Sequence, residues 1–162
     1  MDKILIILAI LICSGGCNND SKTKNNGSKS WIKMAQKITI SELSEELKKF
    51  KFGRTEYDFI GITSNGVDCI YFTYNNAFNI EFEAIIEEQA PYIEKLKEFA
   101  RLNGINTYLT TYKNKSEYSS IQPAPVLVIE VHSDINKIVE VASNIQKLVF
   151  NNNNSTIYEV VP

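Results

Sequence analysis

Apolar and polar positions divide this chain into three unlike stretches. Nine consecutive apolar residues, Ile4 to Ile12, open it. Residues 18 to 30 then contain no apolar side chain. From Trp31 onward apolar positions recur with the periods of helices and strands. Thr39 and Glu42 form a capping box, and Ile40, Leu43, Leu47 and Phe50 repeat at helical spacing before Gly53. The spacing predicts an amphipathic helix over about 40 to 52. Tyr57 to Thr63 and Val67 to Tyr74 are β-branched and aromatic runs around Ser64-Asn65-Gly66, a hairpin signal. After the break at Asn75-Asn76, Phe78, Ile80, Phe82 and Ala84 alternate with Asn79, Glu81 and Glu83.

A second helix is expected near 88 to 103. Pro91 fits its first turn, Ile93, Leu96, Phe99 and Ala100 its buried stripe, and Gly104 its stop. Strands follow at Ile105 to Tyr112 and Val126 to His132, around a polar loop with Pro123 and Pro125. Ser133 is placed to cap a third helix over about 134 to 150, whose stripe is Ile135, Ile138, Val139, Ala142, Ile145 and Val149. Asn151 to Asn154 form a polar turn, and Thr156 to Val161 a closing strand. The expected class is α+β, an antiparallel sheet with helices on one face. From residue 78 the order strand–helix–strand–strand–helix–strand resembles the ferredoxin-like split βαβ topology, preceded here by an extra helix and hairpin.

The opening stretch reads as an address. Lys3, the nine apolar residues and the small residues after them have the form of a secretory signal peptide over residues 1 to 16. Nine residues rise only about 14 Å as a helix, short of a hydrocarbon core of roughly 30 Å. Ser14-Gly15-Gly16-Cys17 resembles the lipobox of bacterial lipoproteins. The resemblance implies that Cys17 is acylated and begins the mature chain, anchored by lipid to a membrane of the bacterial cell envelope. Residues 17 to 30 then form a polar tether reaching roughly 20 Å as a random coil. Residues 31 to 162 form one globular domain. Cys69 is the single thiol left in such a chain, so no internal disulfide is available.

Composition narrows function mostly by exclusion. Lys plus Arg number 17 against 19 Asp plus Glu, and the net charge of −2 gives no footprint for nucleic acid. With one histidine, His132, there is no zinc pattern. No nucleophile elbow and no phosphate-binding glycine loop occurs, and no cofactor is expected. Cys69 reads as a buried strand thiol. Glu81 and Glu83 share a strand face, where two carboxylates suit a hard cation or simply a solvated surface. Tyr108, Tyr112 and Tyr118, with Lys113 and Lys115, form an aromatic and basic stretch suited to an interface. Tyr108 and Tyr112 face the open side of the sheet if Thr107 and Leu109 face the helices; the alternative is that they pack against the N-terminal helix or hairpin. The expected function is a non-catalytic module that binds a protein partner in the envelope, an inhibitor or immunity-type role being one form. The alternative is a domain that binds or senses a small ligand.

Overall fold

In a computed structural model, the structure describes residues 36–55, 57–111 and 124–161. All of them fall within one compact unit, Lys33–Pro162. The residues expected to form a signal peptide, lipobox and tether, together with Tyr112 and Tyr118, lie outside the described residues.

The elements in chain order are β1 (Lys37–Thr39), α1 (Leu43–Lys51), β2 (Phe59–Thr63), β3 (Ile70–Asn75), β4 (Ala77–Glu83), α2 (Ala90–Leu102), β5 (Asn106–Thr111), β6 (Pro125–Ser133), α3 (Ile135–Leu148) and β7 (Ile157–Val161). A turn of 3-10 helix precedes α1, and another precedes α2. The Glu42 half of the expected box forms: its carboxylate accepts from the Thr39 amide at 2.7 Å and from the Thr39 hydroxyl at 2.8 Å. Gly53 and Gly104, both at φ +65°, end the first two helices.

Among the described residues, seven strands form one antiparallel sheet in the order β1-β7-β2-β3-β4-β6-β5. Alternation sends Ile60, Ile62, Ile70, Phe72, Phe78, Ile80, Phe82, Leu127, Ile129 and Tyr158 to one face. There they meet Leu43, Leu47 and Phe50 of α1, Leu96, Phe99 and Ala100 of α2, and Ile138, Val141, Ala142 and Ile145 of α3. α1, α2 and α3 therefore share one face of the sheet, and the core of the described residues is the layer between helices and sheet.

The strand order differs from the ferredoxin-like one. There, β7 would lie beside β4. Here β2 and β3 stand between them, so the β6–α3–β7 crossover passes over three strands. The early hairpin is thus an insertion into the middle of the sheet. The short β1, which the apolar pattern did not mark, covers the outer edge of β7.

Two local expectations also change. Asp134 caps α3 in place of Ser133, which remains the last residue of β6; the Asp134 side chain accepts from the Lys137 amide at 2.9 Å. The strand expected from Val67 starts only at Ile70. The link from β2 to β3 is consequently six residues, 64 to 69, and is built around a buried carboxylate.

That carboxylate is Asp68, 1% exposed. It accepts from the Thr63 hydroxyl (2.7 Å), the Ser64 amide (2.8 Å), the Ser64 hydroxyl (2.6 Å), the Asn65 amide (3.3 Å) and Asn152 Nδ2 (2.6 Å). Gln146 of α3 donates to the Asp68 carbonyl at 3.0 Å and accepts from Asn152 at 2.9 Å. The node ties the β2–β3 loop to the end of α3 and to the turn before β7. Burial pushes the Asp68 carboxyl up, but its hydrogen bonds outweigh that and hold it below the usual aspartate range.

Candidate functional site: the open face of the sheet

The strand positions not used by the core point to the side opposite the helices. Directly opposed residues form a row across that face: Val161, Gly61, Tyr71, Glu81, Val128 and Tyr108. Its centre depends on Gly61. A Cβ there would stand 2.6 Å from Val161 Cγ2 and 2.8 Å from Tyr71 Cδ1, so only glycine lets the Tyr71 ring lie across β2. Phe59 meets that ring edge-on, with centroids 5.7 Å apart at 82°.

Asp58, Phe59, Tyr71, Thr73, Glu81, Glu83 and Val126 line a groove of about 380 Å³ on this face. Thr73 donates to Glu81 Oε1 at 3.2 Å. Burial pushes the Glu83 carboxyl up, and the neighbouring charge of Glu81 adds to it. Burial, the bond with Cys69 and the charges of Cys69 and Glu83 push the Tyr71 hydroxyl well above the usual phenol range. The Cys69 thiol, nearly buried beside Tyr71, is likewise pushed up, chiefly by burial. Both groups are neutral at physiological pH, so this end of the groove offers hydrogen bonds and apolar surface rather than a thiolate.

Glu81 and Glu83 do share one face, as the alternation predicts. Among the described residues no three His, Cys, Asp or Glu side chains come together in a way that would hold a metal ion. His132 is exposed, with Nε2 3.5 Å from Glu130 Oε1. At φ +45° it occupies the irregularity where β6 slips against β4, and its amide donates to Asn79 Oδ1 at 3.4 Å. It stands at the Phe78 end of β4, whereas Cys69 lies at the Glu83 end, so the register keeps the two apart.

Thr107 opposes Ile129 and Leu109 opposes Leu127, both core positions, so Tyr108 does face the open side. It is 50% exposed beside the buried Val128. Sequence reasoning missed Phe59, Tyr71 and Asp58 as groove residues. The available signal was alternation within the hairpin, which puts 59, 61, 71 and 73 on the face away from Ile60 and Phe72. No helix among the described residues is long and apolar enough to cross a membrane. No protein-family model, curated protein or solved structure matches this chain.

Proposed function

We propose that this chain is a lipid-anchored module of the bacterial envelope that binds a protein partner on the open face of its sheet and catalyses nothing. One observation carries the binding part: the face opposite the helices sets Val161, Tyr71, Val128 and Tyr108 in one row around Glu81, and a groove at its centre brings Phe59 and Tyr71 together with Asp58, Glu81 and Glu83. On that face Gly61 seats the Tyr71 ring across β2, and Tyr108 stands half exposed. The anchor rests on Ser14-Gly15-Gly16-Cys17 and the apolar run before it. The non-catalytic reading is supported by Cys69, which burial holds as a thiol, and by the distance in register that keeps it from His132.

The concavity of the groove favours a second reading, a small ligand held against Phe59 and Tyr71. Its volume of about 380 Å³ lies within the range of roughly 300–1,000 Å³ usual for ligand pockets. Metabolic labelling with a fatty acid tests the anchor: wild type takes up label and Cys17→Ala does not. Native mass spectrometry of the protein from its own envelope separates the two binding readings. A retained protein chain supports the first, and a retained small molecule supports the second.

A further inference from the structure

The two edges of the sheet are built differently. β1 is three residues long and carries Lys37, which pairs with Glu159 at 3.7 Å. Short strands and lysines are the usual guards against edge-to-edge pairing. β5, at the other edge, has six residues, Asn106-Thr107-Tyr108-Leu109-Thr110-Thr111, without charge, proline or glycine. Among the described residues it pairs with β6 alone. Tyr108 on one face and Leu109 on the other are each half exposed.

The direction of its free backbone groups follows from the ladder. The Pro125 carbonyl accepts from the Ala84 amide at 3.0 Å, so the backbone of Pro125 faces the β4 side. Alternate residues of an antiparallel strand face alternate neighbours. Val126, Val128 and Glu130 therefore face β5 and bond Thr110, Tyr108 and Asn106. The amides and carbonyls of Thr107, Leu109 and Thr111 point outward.

We propose that β5 pairs antiparallel with β5 of a second copy of this chain, joining two sheets into one about a two-fold axis at Leu109. Opposed residues in an antiparallel pair lie on the same face, so two identical strands match odd positions with odd. With Leu109 against Leu109 and Thr107 against Thr111, every outward amide and carbonyl of the three finds a partner. The half-exposed Leu109 side chains then meet on the helix side. An identical copy suits this edge because an uncharged strand places no like charges opposite each other, and two-fold self-complementary contacts are the commonest homo-oligomer solution. This pairing goes beyond the open-face reading and leaves that face free.

Sedimentation equilibrium of the purified chain tests it, with circular dichroism reporting the fold. Wild type passes from one chain to two as concentration rises. Leu109→Pro deletes an outward amide without touching the bonds to β6, and Leu109→Lys sets two charges at the axis; both stay monomeric. A monomeric wild type at every concentration, or a dimer that survives both changes, overturns the proposal. Hydrogen exchange on the wild type decides the matter even if Leu109→Pro unfolds. The Leu109 amide becomes protected only as concentration rises, whereas those of Tyr108 and Thr110 are protected throughout. An unprotected Leu109 amide at high concentration contradicts the pairing.

Discussion

Replacing Asp68 tests how the inserted hairpin is held. Asp68→Ala removes the acceptor from three side-chain donors, the Thr63 and Ser64 hydroxyls and Asn152 Nδ2, and from the amides of Ser64 and Asn65. Leaving a buried donor without its acceptor costs about 1–3 kcal/mol. The three side-chain donors at about 1 kcal/mol each give roughly 3 kcal/mol, rising toward about 5 if the two amides stay dry. Asp68→Asn keeps one acceptor oxygen but turns an amide toward other donors, and should cost about 1–2 kcal/mol. Urea unfolding at neutral pH measures both. Because the folded Asp68 carboxyl titrates below its unfolded value of about 3.9, its contribution is complete above roughly pH 4 and is lost as pH falls through the folded value. The Asn variant should therefore lose less of its stability on acidification than wild type does. A loss under about 1 kcal/mol for Asp68→Ala would refute the node as the tie between hairpin and α3.

Other consequences are quicker to check. Gly61→Ala drives a methyl into Val161 and the Tyr71 ring and should destabilise by about 1–3 kcal/mol in thermal unfolding. Glu83 has the opposite sign to Asp68: its folded carboxyl is raised, so its ionisation opposes folding, and Glu83→Gln should raise the melting temperature at pH 7 but not below pH ~4, where wild type is itself protonated. Cys69 should resist a thiol reagent in the native state and react only on unfolding, since burial keeps it a thiol.

The elements that bury a full stripe were legible from the chain. Phe78, Ile80 and Phe82 alternate cleanly, and Leu96, Phe99 and Ala100 keep helical spacing, because each set sees one core. Their arrangement was less so. Nothing local in Tyr57 to Tyr74 shows that this hairpin enters the middle of the sheet, since strand pairing is decided by which long-range edges fit. Ser64-Asn65-Gly66 suggests a short hairpin turn, but the buried Asp68 needs the longer loop to gather its donors. The candidate surface was half visible: the facing of Tyr108 followed from alternation. The groove did not, because Phe59, Tyr71 and Glu83 meet only through registers among three strands.

If the open face of the sheet is the working surface, a partner must sit against Tyr108. Site-specific photo-crosslinking in intact cells tests it most directly. A benzophenone side chain at Tyr108 reports the open face, and the same group at Glu94 or Glu140, both well exposed on the helices, reports the opposite side. A discrete adduct with another protein is expected from position 108 and none from 94 or 140. Adducts from the helix positions alone would contradict it.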